Sequence, residues 1–284
     1  MYSLFFRTLV ILGVLVSLIS GCQYFKSTVF NNLDSLVLVQ IDEYFDLTDQ
    51  QTEFLRPKVV SHLKWVQQNI IPKLITELEQ LKEQQEPISN QQFFVIQQKT
   101  WKIWSSIIDR IADDGAWLFI NLSPQQLKHL QEKLRDKHQE HYEPVFSSTT
   151  EFPAKFKEFQ ETMLKGFEKL VGEFSEQQKA KLSQVTQESQ ESLGKDSEII
   201  NQNRVQFFQK TSALRQQKEL ANFFRQWVYN PNVGYQKFRL KRKQRTLQIL
   251  SMLEADLSVK QKEFRQAKID DYLTDLKELR EVMF

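Results

Sequence analysis

Apolar residues recur along most of this chain at steps of three and four. From Asp49 onward, Leu55, Val59, Leu63, Val66, Ile70, Leu74, Leu78 and Leu81 form one such stripe, the pattern of a helix that buries a single face. Pro57 falls near the first turns of this segment, whereas Pro72 lies deep within it and predicts a kink or break. A second helix is predicted over 90–119, with Phe93, Ile96, Ile103, Ile107 and Ile111 on one side. Others follow over 124–142, 154–171, 176–229 (with Gly194 as a candidate break), 235–254 and 259–282. Asn230-Pro231-Asn232 with Gly234 is the clearest turn. Sustained period-two alternation is missing, so no sheet is expected. The predicted fold is all-α, an elongated bundle of long amphipathic helices over 33–284, divided, if at all, near 143–153.

One local pattern marks where helices start. An apolar residue precedes Ser or Thr, and Gln follows three positions later: Thr48 with Gln51, Ser89 with Gln92, Ser123 with Gln126, Ser175 with Gln178, and Ser258 with Gln261. This is the pattern of a capping box, in which the hydroxyl accepts the N3 amide and the Gln side chain returns to the amide of the cap residue. Pro124 takes N1, where a missing N–H costs nothing. The preceding apolar residue can staple the helix to the core, as Leu122 could with Leu127.

The N-terminus reads differently. Arg7 is the only charge before Cys22, and Leu9–Val16 is an apolar run with the length of a signal-peptide core rather than of a membrane span. It ends in Leu18-Ile19-Ser20-Gly21-Cys22, which resembles the lipobox of bacterial lipoproteins, with cleavage between Gly21 and Cys22 and lipid on the Cys22 thiol. The expected organisation is therefore a signal peptide over 1–21, a lipidated tether over 22–32 and the helical domain. Several acyl chains on one terminus suffice for stable anchoring. Resemblance to Gram-negative lipoproteins implies that Gln23, which is not aspartate, directs the chain to the outer membrane with the domain facing the periplasm.

Composition agrees with helices and excludes several function classes. The 284 residues contain only 7 Gly and 7 Pro, few for the turns that many short strands require. The formal net charge of +2 gives no overall reason to expect nucleic acid as a partner. Cys22 is the single cysteine, so no intramolecular disulfide can form. Six cations lie within nine residues: Lys237, Arg239, Lys241, Arg242, Lys243 and Arg245. Such a run, spread over more than one helical face, is either a solvated helix or a docking surface for anionic lipid headgroups or another acidic envelope surface.

Candidate chemistry is sparse. His138 and His141 share a helical face beside Glu140 and Glu143, but two ligands do not make a metal site. Asp109, Asp113 and Asp114 with Arg110 read as surface ion pairs. There is no Gly-x-Ser-x-Gly elbow and no Gly-rich phosphate loop. Phe207-Phe208, Phe223-Phe224, Trp101 and Trp104 read as core aromatics. No catalytic residue, metal, cofactor or small-molecule substrate is expected.

Taken together, the chain resembles an uncharacterised family of proteobacterial lipoproteins of unknown function. The residues that carry the likeness are the lipobox, Asn31-Asn32-Leu33-Asp34, Tyr44 ahead of Leu47-Thr48-x-x-Gln51, Trp65 followed by Pro72-x-Leu74, and, near the C-terminus, Trp227, Leu257-Ser258-x-x-Gln261, Tyr272 and Leu276. That family often has His directly after the tryptophan; here Val66 stands there. The Leu-Thr-x-x-Gln motif alone is similar to the small periplasmic chaperones of the Spy and CpxP type. The expected role is a membrane-anchored, non-enzymatic binding or scaffolding module with an envelope protein as partner. The alternatives are a lipid-anchored chaperone for unfolded clients and a hydrolase with an unrecognised carboxylate site.

Overall fold

The computed structural model describes residues 32–84, 87–141, 152–187, 190–229 and 233–282. The lipobox with Gly21 and Cys22, and the Asn230-Pro231-Asn232 turn, lie outside them. Among the described residues eleven helices follow one another: α1 (Leu33–Phe45), α2 (Asp49–Asn69), α3 (Ile71–Glu83), α4 (Asn90–Ile120), α5 (Pro124–His141), α6 (Phe152–Val171), α7 (Glu176–Gln187), α8 (Gln190–Ala213), α9 (Gln217–Tyr229), α10 (Val233–Ala255) and α11 (Val259–Val282). Among the described residues there is no strand, and the chain is all-α.

The breaks have local causes. Pro72 takes the first turn of α3, and Ile70 joins α2 to α3 in a helical but distorted conformation, φ −106° and ψ −49°. The join moves the apolar stripe. Leu55 and Val59 are buried in α2, but in α3 the buried positions are Ile71 and Ile75 rather than Leu74. Gly194 breaks nothing, because α8 runs through it; a helical glycine costs about 1 kcal/mol but offers the backbone no alternative partner. The 176–229 stretch is instead described as α7, α8 and α9, and the break between α8 and α9 falls at 214–216. There Leu214 N–H turns back to Thr211 O (3.3 Å), and the Arg215 guanidinium caps the carbonyls of Ser212 and Leu214.

The chain divides into two compact units. Of the described residues, one unit takes those up to 85, then 100–130 and those from 269 on; the other takes 86–99 and 131–268. Divisions fall within α4, α5 and α11, and most of the 143–153 stretch lies outside the described residues. Among its described residues the first unit has two core clusters. Leu33, Ile71, Ile75, Ile269, Leu273 and Leu279 form one. Leu38, Leu55, Val59 and Leu118, with Phe54 and Trp117 against them, form the other. The second unit packs Phe174, Leu182, Ile249 and Leu253. Each fully buried Leu or Ile contributes roughly 1.5–3 kcal/mol, so these clusters, rather than helix propensity, hold the helices in place.

Candidate functional site

All five capping boxes close. The cap residue's N–H donates to the Gln Oε1 at 2.8–3.0 Å, and the Gln N–H donates to the Ser or Thr hydroxyl at 3.1–3.3 Å. Each box sits at an elbow, where one helix ends and the next begins. Four of the elbows do more than start a helix, because they face each other in pairs.

In the first unit, Gln51 Nε2 donates to Asn121 O (2.9 Å) and to Gln126 Oε1 (3.3 Å). Gln126 Nε2 donates in return to Asp46 O and Gln51 Oε1, both at 2.7 Å. The second unit repeats the arrangement. Gln178 Nε2 meets Asp256 O (2.8 Å) and Gln261 Oε1 (3.0 Å), and Gln261 Nε2 meets Glu173 O (2.9 Å) and Gln178 Oε1 (3.1 Å). In every case the accepting carbonyl lies two residues before the opposing cap. Each glutamine thus donates and accepts at least twice, filling the capacity of a carboxamide; Gln126 Nε2 also approaches Phe45 O (3.2 Å), and Gln261 Oε1 also accepts from Ser258 Oγ (3.1 Å). That satisfaction explains why four glutamines at 5–7% exposure can be buried without the usual penalty.

The residue three positions after each glutamine also reaches the opposing elbow. Phe54 stacks on Trp117 at 3.6 Å, His129 Nε2 meets Glu43 O at 3.2 Å, Lys181 pairs with Asp256 at 2.6 Å, and the Phe264 ring lies against Gly172. The likeness between the units extends to the backbone. Asp46 and Gly172 have positive φ, 49° and 85°, and both N–H groups return to the acid four residues back, Asp42 O and Glu168 O, at 2.8 Å. The carboxylates of those acids then accept Leu47 N–H (2.7 Å) and Phe174 N–H (3.1 Å). The fifth box, Ser89 with Gln92, stands in the second unit, and among the described residues no other elbow faces it.

The sequence shows the caps but not these pairings. The residues 46, 121, 173 and 256 accept through their backbone carbonyls, which no side-chain pattern betrays. The repeated spacing of Gln was the one available signal, and a capping box accounts for it without any second partner.

Polar chemistry in the first unit gathers where α2 faces α4. His62 Nε2 lies 2.8 Å from Asp114 Oδ2, and Lys58 Nζ lies 3.8 Å from the other carboxylate oxygen. His62 Nδ1 is buried without a hydrogen bond. Burial pushes the imidazole below its ordinary pKa, against the pull of Asp114. Arg110 donates to Ser61 Oγ at 3.0 Å. Beside them an open groove of about 470 Å³ is lined by Pro57, Val60, Ser61, Lys64, Trp65, Gln68 and Arg110.

The basic run on α10 is split by packing. Lys237 and Lys241 are exposed. Arg239 is half-buried and donates to Val228 O (2.9 Å), Arg242 covers the Phe238 ring, and Lys243 lies 4.1 Å from the Phe94 centroid. Burial lowers the pKa of Arg239 and of Lys243, whose shift Arg239 adds to. Arg245 is half-buried. Leu240, at 62% exposure, is the apolar residue left between the two free lysines. Phe207, Phe208, Phe223, Phe224 and Trp227 pack as one cluster, with centroids 5.2–6.2 Å apart. The side chains of His138 and His141 lie outside the described residues, and no group of three potential metal ligands occurs among the described ones.

Residues 43–237 match the model of a family described as a family of unknown function (DUF6279). The matched span contains four of the five boxes and ends before Ser258. No curated protein and no solved structure matches the chain.

Proposed function

The chain belongs to this family of unknown function, and from that premise we propose that it is a lipid-anchored envelope protein whose helical domain binds or spaces other envelope components without catalysing a reaction. The observation that carries the reading is the N-terminal sequence: Arg7, the apolar run and Ser20-Gly21-Cys22 in the order that lipoprotein processing requires. Among the described residues no helix is long and apolar enough to cross a membrane; in this reading the anchor is the acylated Cys22. The interior supports a scaffold rather than a reaction centre. Its buried glutamines are saturated by structural bonds, and among the described residues no nucleophile meets His62 Nδ1, the ring nitrogen that Asp114 does not hold. What the domain offers partners is surface, including the groove beside Trp65 and the Lys237–Lys241 face. Outer-membrane placement on the periplasmic side follows from Gln23 after the modified cysteine.

Cys22 decides the test. Metabolic labelling with a fatty-acid analogue should mark the wild-type chain, and the protein should sediment with membranes. The Cys22→Ala variant should accumulate as an unlabelled, uncleaved precursor. Recovery of that variant as a cleaved, acylated protein would refute the anchor.

A further inference from the structure

We propose that the elbow at Ser89–Gln92 is a docking surface for the same elbow of a second copy of this chain, and that the two copies close an intermolecular clasp. The four other boxes provide the rule. Each pairs with an opposing box, each Gln Nε2 reaches the carbonyl two residues before the opposing cap, and the residue three beyond the Gln touches the opposing elbow. In their glutamine bonds both members of a pair do the same thing, so that part of the arrangement is self-complementary. An element of that kind can pair with its own copy about a two-fold axis, the isologous contact from which closed dimers are built.

The Ser89 box has every part of the clasp except the partner. Its internal bonds are closed at 2.8 and 3.3 Å. Its position is held rigidly. Ile88 is buried, and its N–H donates to Glu254 Oε1 (3.3 Å), whose carboxylate is itself fixed by Arg265; Asn90 bonds Ser251. Yet Ser89 and Gln92 are exposed, and among the described residues Gln92 Nε2 meets no acceptor. Pro87 O, which corresponds to the carbonyls that accept in the other elbows, meets no donor there. An independent feature agrees. Val95 holds the position that Phe54, His129, Lys181 and Phe264 hold in the paired elbows, and it is apolar and 42% exposed, next to Phe94 at 39%. Both the amide and the hydrophobic contact of a clasp are thus presented outward. In a symmetric dimer, Gln92 of each copy would donate to Pro87 O and Gln92 Oε1 of the other, and the two Val95 side chains would be covered.

The test uses the full-length protein in nonionic detergent. In the Gln92→Cys variant the two introduced thiols would face each other, and mild oxidation should give a covalent dimer well above the level of the wild type, which carries Cys22 alone. The Gln51→Cys/Gln126→Cys double variant is the control, since its thiols face each other within one chain and should close under the same conditions. Sedimentation velocity of the unmodified protein should show a concentration-dependent dimer, weakened about tenfold or more by Gln92→Ala, as expected for losing four hydrogen bonds, two from each copy. Circular dichroism should confirm that this surface variant remains folded. If Gln92→Cys gives no more dimer than wild type while the control closes, or if it traps a different protein instead of its own copy, the proposal is overturned.

Discussion

At the scale of single residues, the five glutamines fall into two kinds. All five return to their own cap, but only Gln51, Gln126, Gln178 and Gln261 are also buried donors. Gln→Glu separates the roles, because a carboxylate serves a capping box equally well yet cannot donate. Gln51→Glu should cost about 2–4 kcal/mol, from two lost bonds and an uncompensated buried charge. Gln92→Glu, on the surface, should stay within about 0.5 kcal/mol. Urea unfolding at neutral pH and low protein concentration measures both. Equal costs would mean that the cross-elbow bonds contribute nothing.

His62 gives the domain a signed pH dependence. Its pKa is lowered in the folded state by burial, so the fold takes up this proton less readily than the unfolded chain does. Stability from this group is complete above the ordinary histidine value of 6.5 and falls as the pH drops below it, where the unfolded chain binds a proton that the fold resists. Unfolding free energy measured between pH 7.5 and 5.5 should therefore decline, and the decline should be shallower in His62→Gln. An unchanged slope in that variant would move the effect to another group.

At the scale of elements, the helix ends carry the architecture, and two glycines show how differently the same residue can act. Gly172 ends α6 with φ +85°, and a Cβ there would lie 3.3 Å from Phe264 Cγ. Gly166 is helical, exposed and surrounded by open space. Gly172→Ala should destabilise by about 1–2 kcal/mol, combining left-handed strain with a crowded elbow. Gly166→Ala should stabilise by about 0.5–1 kcal/mol through helix propensity. Thermal unfolding of the two single variants is sufficient to check both signs. Asp46, the counterpart of Gly172, adopts the same conformation with a side chain, as Asp does more readily than most residues.

At the scale of the whole molecule, one construction is used twice. Each unit has one elbow whose staple N–H is held by a carboxylate, Leu47 on Asp42 or Phe174 on Glu168. Each has a second elbow whose staple N–H turns back on the preceding helix, Leu122 to Phe119 O or Leu257 to Glu254 O. Because the two clasps share no hydrogen-bonding partner, their energetics should separate. In double-mutant cycles with alanine, Gln51 should couple to Gln126, and Gln178 to Gln261, by about 1 kcal/mol or more. Gln51 and Gln178 should be additive within about 0.5 kcal/mol. Coupling of similar size between the units would contradict two independent clasps.

What was legible in the sequence was whatever depends on near neighbours. The helices follow from a spacing of three and four, their starts from a hydroxyl and an amide three residues apart, and the α2–α3 join from Pro72, all set by contacts within a turn or two of chain. The same locality explains the misses. Gly194 looked like a break because glycine weakens a helix, but the actual break at 214–216 depends on Arg215 reaching two carbonyls. α1 went unassigned individually, since its burial rests on Leu33 and Leu38 meeting α2, α3, α4 and α11. The six cations of α10 form one run in the sequence, but packing against Phe238, Phe94 and the end of α9 leaves Lys237 and Lys241 as the exposed pair. Only the tertiary structure decided which caps would face each other. The bonds between Gln51 and Gln126, and between Gln178 and Gln261, join residues 75 and 83 positions apart. Carboxamides so distant are brought within 3 Å by the burial of the helices that carry them, and the same packing leaves Gln92 facing outward.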